Sequence, residues 1–309
     1  MFRIIPDTNI NFIGVRRIAF VLSLVLVVTG ITAFTMIATG KANLGIDFSG
    51  GVMLKGYFSD PVGIEDLRSA IGAEYPDAQI TELSGFTEPN AFIIKTKSPE
   101  TEEESRAQLA TLEQIMSESF AGNTFTSVEE HQIGPAVGAT LRNDAVKAII
   151  ISLIGIIIYI WFRFDFRSGI AATIATFHDV LAVMGIFWVL NLEFDLLIVT
   201  ALLTLAGYSL TDTVVVYDRI RENLRKFRTK GEFTNCVNRS INEVLSRTFN
   251  TSITVIFVVG TLFVAGGDVL RNFSLALILG VIVGTYSSIF VASPIVVEWE
   301  ARSPKRFKK

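Results

Sequence analysis

The chain has 309 residues, of which 50% are hydrophobic, with a mean hydropathy of +0.49 and a formal net charge of −3. This balance fits a polytopic membrane protein and excludes both an ordinary soluble domain and a basic nucleic-acid binder. The single cysteine, Cys236, excludes an intrachain disulfide.

Residues 1–17 form a short N-terminal segment carrying Arg3, Arg16 and Arg17. The first predicted span covers about residues 18–39, 22 residues without a charge. That exceeds the apolar core of a cleavable signal peptide, and no cleavage site follows it. Residues 40–143 then leave the membrane. Between 41 and 140 there are 6 Lys or Arg against 16 Asp or Glu, a net −10. Such acidity keeps an exported domain soluble; recruitment of a basic partner is the second reading.

Within this segment, residues 44–58 read as one strand entered through a glycine turn, and 64–71 as a helix burying Ile64, Leu67, Ala70 and Ile71. Strands follow at 78–83 and 91–96, separated by a Gly, Pro and Asn turn region. A helix over 102–120 lines up Leu109, Leu112, Ile115, Met116 and Phe120, and a last strand covers 125–133. The order β-α-β-β-α-β is that of ferredoxin-like domains. Asp47 sits in the glycine turn beside the first span; turn capping is the leading reading, with a functional role open. His131 reads as a surface or packing residue, since no metal-ligand spacing surrounds it.

Residues 144–297 return to the membrane. Spans are predicted at about 145–162, 170–190, 196–216, 248–265 and 273–297, each long enough to cross as a helix. Lys147 can snorkel from the second span. Residues 218–247 contain Asp218, eight Lys or Arg and an amphipathic stretch over 232–245 with Phe233, Val237, Ile241, Val244 and Leu245 on one face. This stretch is expected to lie at the interface and link the fourth and fifth spans. The tail, 298–309, adds Arg302, Lys305, Arg306, Lys308 and Lys309. With Arg163 and Arg167, all these cations fall on one side of a six-span arrangement, which makes that side cytoplasmic. The expected fold is therefore an α-helical polytopic membrane protein with six transmembrane helices, both termini cytoplasmic, and one α+β ferredoxin-like extracytoplasmic domain between helices 1 and 2.

Polar residues inside the spans carry the functional reading. Asp212 lies in the fourth, where an ionised carboxylate must be neutralised, paired or wetted. Asp218 and Arg219 mark the exit of that span to water. His178 and Asp179 lie within the third span, and either a packing hydrogen bond or proton handling explains them. Arg247 opens the fifth, as an interfacial cation or as the partner of Asp212. Ala171, Ala172, Ala175, Ala201, Ala206, Gly207 and Ser209 would let helices approach closely around these groups. Removal from water disfavours the ionised carboxylate, whereas a nearby guanidinium favours it. Approach and retreat of Arg247 would thus make Asp212 a protonation switch driven by the membrane potential and pH gradient. No nucleotide loop, nucleophile–base set or metal cluster supports an enzyme, and no cofactor is expected.

The segments Gly45 to Gly51, Trp161 to Phe164, Phe177-His178-Asp179, Asp212 to Asn223 and Ser246 to Ser252 together resemble the SecF family. These are the smaller subunits of SecD–SecF protein-export complexes, related to resistance-nodulation-division transporters. The resemblance spans nearly the whole chain. It implies a proton-motive-force-driven factor of the bacterial inner membrane that completes preprotein movement begun by the SecYEG channel with SecA. It places the family's intramembrane aspartate on Asp212, its essential arginine on Arg247 and its Phe-His-Asp motif on His178 and Asp179. Thr211 departs from the Asn common in relatives, and its hydroxyl is expected to bond the carboxylate in its place. Six spans are half of the expected twelve, which implies a separate SecD-like partner. The competing readings are a small-molecule efflux component of the same superfamily and a non-transporting assembly factor.

Overall fold

The apolar runs contain no proline apart from Pro294, so each can wind into an uninterrupted helix. A computed structural model describes residues 8–83, 90–97, 101–225 and 233–304, except for the side chains of Glu102 and Asp268. The turn region at 84–89, Glu232 and the cations Arg3, Lys226, Arg228, Lys230, Lys305, Arg306, Lys308 and Lys309 lie outside the described residues.

Helix α1 (Arg16–Ala38) crosses first. The segment 44–58, expected as a strand entered through a glycine turn, holds strand β1 (Gly51–Phe58), and its entry is a turn of helix, α2 (Ile46–Ser49). The break falls at Gly50, whose φ of 74° closes α2 and which packs against Pro135. A side chain there would be strained on both counts. Helix α3 (Ile64–Gly72), strands β2 (Gln79–Glu82) and β3 (Ala91–Lys97), helix α4 (Glu102–Ser119) and strand β4 (Phe125–Ile133) complete the domain. The sheet order is β2-β3-β1-β4 with every pair antiparallel, the split βαβ arrangement. Leu54, Phe58, Phe92 and Ile94 meet Leu67, Ile71, Leu112 and Met116 in its core. Phe58 stands edge-on to Phe92, Phe120 and Phe125 at 5.0–6.0 Å. Truncating one of these large side chains to alanine costs about 2–5 kcal/mol.

Helices α5 (Pro135–Arg163), α6 (Phe166–Val189), α7 (Leu196–Leu224), α8 (Phe233–Ala265) and α9 (Gly267–Ser287) follow. A π turn over Ser288–Ala292 joins α9 to α10 (Ser293–Arg302), so the sixth crossing is one bent span. Pro294 has no N–H for the carbonyl four residues back, which forces this irregular turn. Tyr217 covers it by donating to the carbonyl of Ala292 at 3.0 Å.

The amphipathic stretch at 233–245 is not a separate interfacial helix. It continues without a break into the fifth span as part of the 33-residue α8. No glycine or proline occurs from Phe233 to Val259 to stop it. At 1.5 Å per residue α8 is about 50 Å long, so its first turns project well beyond a ~30 Å hydrocarbon core.

The six spans form two sets. Over their most apolar stretches, α6 is 67% buried, α7 50% and α9–α10 56%, against 17% for α1, 11% for α5 and 17% for α8. A central trio is thus wrapped by three helices whose apolar side chains face outward, among them Ile18, Val25, Ile151, Phe257 and Val264. Outward apolar faces suit lipid or a partner helix, and the carboxylates Asp179 and Asp212 are buried within the trio.

Candidate functional site

Asp212 lies on α7 with 5% exposure, facing α9. Its Oδ2 accepts a hydrogen bond from Thr285 of α9 at 3.3 Å, near the long limit for such a bond. Thr285 Oγ1 is in turn 2.7 Å from Ser252 Oγ of α8. One hydroxyl therefore ties Asp212 to both neighbouring helices. The buried hydroxyl of Tyr208, which feels the Asp212 charge, lies against Ser252 and Thr251 of α8. Burying hydroxyls around a carboxylate leaves donors ready for a changed proton or water arrangement.

A second buried carboxylate stands on α6. Nδ1 of His178 lies 2.8 Å from Asp179 Oδ1. Asp179 Oδ2 accepts from Ser209 of α7 and, at 2.7 Å, from Ser287 of α9. Asp179 is completely buried and His178 nearly so. The His178 ring packs near Tyr286, whose hydroxyl donates to the carbonyl of Ala19 on α1 at 2.8 Å. This network is possible because α9 approaches α7 closely: a Cβ on Gly284 would lie 3.0 Å from Ser209 Cβ. The run Thr285-Tyr286-Ser287 thus reaches two carboxylates on two different helices.

Arg247 does not join Asp212. It is exposed on α8, and no ion pair connects it to that carboxylate among the described residues. The hydroxyl of Thr211 does not bond Asp212 either. It points outward and donates to the carbonyl of Gly207 at 3.2 Å, because adjacent helical residues face about 100° apart.

Asp218 pairs with Arg163, which ties α7 to the end of α5. Arg219 holds Glu222 and Glu243, and Glu243 also pairs with Arg239. Beside them Arg167 and Glu300 form a buried ion pair. These contacts lock the end of the bundle away from the sheet.

Asp47 acts at the other end. Its carboxylate accepts from the backbone N–H of Leu196 at 3.0 Å, so it caps α7 from 149 residues away. Around it, Gly45 N–H donates to the carbonyl of Phe194 at 2.8 Å, and Phe194 N–H to that of Asn43 at 2.8 Å. Lys95 of β3 holds Glu193 at 2.9 Å. Burial pushes the Asp195 carboxyl above its usual range, opposed by the hydrogen bond from Ile198 N–H. The domain is therefore riveted to the start of the Asp212 helix. His131, by contrast, is exposed and its ring bonds Glu129 of its own strand, at 2.9 Å.

The reading of the residues did not anticipate Thr285, Ser287 or the Arg167–Glu300 pair. The Thr-Tyr-Ser-Ser run at 285–288, inside an apolar span, was the available signal.

The sequence pattern described as "Protein export membrane protein SecD/SecF, C-terminal" matches residues 112–302. The chain belongs to the SecD/SecF protein-export family. A protein of Thermodesulfovibrio yellowstonii named "Protein translocase subunit SecF" is 47% identical over 96% of this chain and 97% of its own. The SecF of Desulfurispirillum indicum is 39% identical over 95% and 92%, and that of Vibrio alginolyticus 39% identical over 96% and 92%. Among solved structures, the translocon-associated SecDF of Thermus thermophilus superposes with a TM-score of 0.79 at 37% identity, over 98% of this chain. A second SecDF, in a super-membrane-facing form, gives 0.69. The chain spans 40% of the length of either SecDF. It is thus a multi-pass membrane protein of SecF type with a place for a SecD partner.

Proposed function

We propose that the chain is the SecF-type subunit of a bacterial inner-membrane protein translocase, in which Asp212 carries the proton that couples the gradient to preprotein movement. The observation that carries this reading is a carboxylate at the centre of the bundle, 5% exposed and held by a single long hydrogen bond. Such a group can change its proton occupancy without dismantling its surroundings, and the linked hydroxyls of Thr285 and Ser252 can reorganise with it.

Arg247 is the second half of the proposed switch. The described arrangement is the separated state, and approach requires α8 to turn its exposed face toward α7. His178 and Asp179 form the fixed wall on the far side of α9. Moving one charge through the field is worth about 2.3 kcal/mol per 100 mV.

The relatives' name, protein translocase subunit, supports a role in protein export; in the proposed reading that role follows movement begun by SecYEG with SecA. The 60% of SecDF that this chain leaves unmatched is where a SecD-like partner would supply the remaining spans. The cations Arg163, Arg167, Arg219, Arg239 and Arg302 gather at the end opposite the acidic sheet domain, which supports an orientation with both termini cytoplasmic and the domain outside. The work is conformational; no covalent reaction is proposed.

The test is export of a preprotein into membrane vesicles containing the SecD–SecF pair, with and without an imposed gradient. Asp212→Asn should insert, assemble with its partner and lose the gradient-dependent part. Undiminished gradient stimulation in that variant would remove Asp212 from the mechanism. Drug efflux measured in the same vesicles separates export from the small-molecule reading.

A further inference from the structure

Between α1, α5, α6 and α7, toward the sheet end, lies a cavity of about 140 Å³ lined by apolar side chains including Phe34, Ala145, Ile149, Leu181 and Leu202. Phe34, Val146 and Phe177 on its rim are 48%, 38% and 41% exposed, so it opens sideways between α1, α5 and α6, where the bilayer would lie. One lining residue is charged. Arg142 is half-buried, and among the described residues it has no carboxylate partner. Its nearest acidic neighbour in sequence, Asp144, is already taken by Lys147 at 2.9 Å. The guanidinium reaches over the end of α1: a Cβ on Gly40 would lie 4.0 Å from Arg142 Nη1, next to the exposed Lys41.

Arg142 stands six residues before the uncharged run of α5 that begins at Ala148, about 9 Å along the axis, which places it at headgroup height. A cation that merely snorkels extends into water. Arg142 is half-covered and lines an apolar hollow, a combination complete only with an anion attached to a hydrocarbon chain. We infer that this cleft binds one anionic phospholipid of the sheet-side leaflet, its phosphate on Arg142 and part of one acyl chain in the cavity. The volume is close to that of an apolar cavity of about 150 Å³ that stays dry and takes benzene, enough for a stretch of methylenes. The rest of the chain lies along the exposed Ile150 and Ile154 of α5. The inference rests on the membrane-spanning fold and is independent of the export mechanism.

Native mass spectrometry of the purified full-length chain in detergent, titrated with phosphatidylglycerol or phosphatidylcholine, tests it. The unaltered chain should retain one phosphatidylglycerol in preference to phosphatidylcholine. Loss of a charge-assisted contact in Arg142→Gln should lower phosphatidylglycerol affinity about tenfold and leave phosphatidylcholine unchanged. Arg142→Lys should lose less. Val146→Trp, at the exposed rim, should block both lipids and serves if the arginine variants fail to fold. Equal retention by Arg142→Gln, no preference between the two lipids, or undiminished binding by Val146→Trp overturns the inference. So does cross-linking of Val146→Cys to a partner's helix in the SecD–SecF complex.

Discussion

Asp179 and Asp212 are buried carboxylates of the central trio without an arginine or lysine partner among the described residues, and their surroundings differ. Asp179 has no exposure and three side-chain partners, on its own helix and on α7 and α9. Among the described residues Asp212 has one hydrogen-bond partner, at 3.3 Å. Each donor removed from a buried network leaves an unsatisfied group costing about 1–3 kcal/mol, so Asp179 fixes how three helices pack. Asp212 fixes little, which is why the proposed switch is placed there.

The largest expected effect is on transport through Asp212. Asp212→Asn is nearly isosteric, so the melting temperature should stay close to that of the unaltered chain. The gradient-dependent part of export should fall roughly 50-fold at 100 mV, the equivalent of one charge moved through the field. Next comes Asp179→Ala, which strands His178, Ser209 and Ser287 and should destabilise the bundle by about 3 kcal/mol in thermal unfolding. If Asp179→Ala melted normally while abolishing gradient stimulation, the two aspartates would exchange roles.

Smaller substitutions sharpen the contrast. Thr285→Val removes the one hydrogen bond to Asp212 and should cost about 1 kcal/mol while slowing export several-fold. Ser287→Ala should cost a similar amount of stability with little change in export, because Asp179 keeps two partners. Equal export defects in both would mean that α9 acts as a single unit. The smallest effect is expected from Asp47→Ala, which removes one of the two carboxylates capping α7 and leaves Asp195 in place, at a cost of about 1 kcal/mol, seen as faster hydrogen exchange in the first turn of α7.

Legibility in the sequence followed the range of the interaction. The six spans and the order of the sheet domain depend on apolar periodicity over a few turns, which residues such as Leu67, Ile71, Leu112 and Met116 display locally. Asp212 was legible because a charge within an apolar run is conspicuous without knowledge of its neighbours. Its bond to Thr285 joins residues 73 apart, the Asp179–Ser287 bond residues 108 apart, and the cap from Asp47 residues 149 apart. No spacing rule links such pairs. Thr285 and Ser287 were also hidden by chemistry, since a hydroxyl in a membrane helix can satisfy itself on its own backbone, as Thr254 and Thr261 do. The continuity of α8 was missed for another reason: a change from amphipathic to uniformly apolar looks like a boundary, but a helix ends only where its backbone is interrupted.

The joint between Asp47 and Leu196 gives α7 a mechanical character. Sixteen residues separate that joint from Asp212, about 24 Å along the axis. A tilt of roughly 10° pivoting at Asp212 would sweep the joint through about 4 Å, more than the hydrogen bonds there can stretch. The sheet domain would have to swing with the helix or let go of it. If Asp212 switches as proposed, the rivet at the start of α7 would make that helix a lever arm, converting a sub-ångström event at a carboxylate into a stroke outside the hydrocarbon.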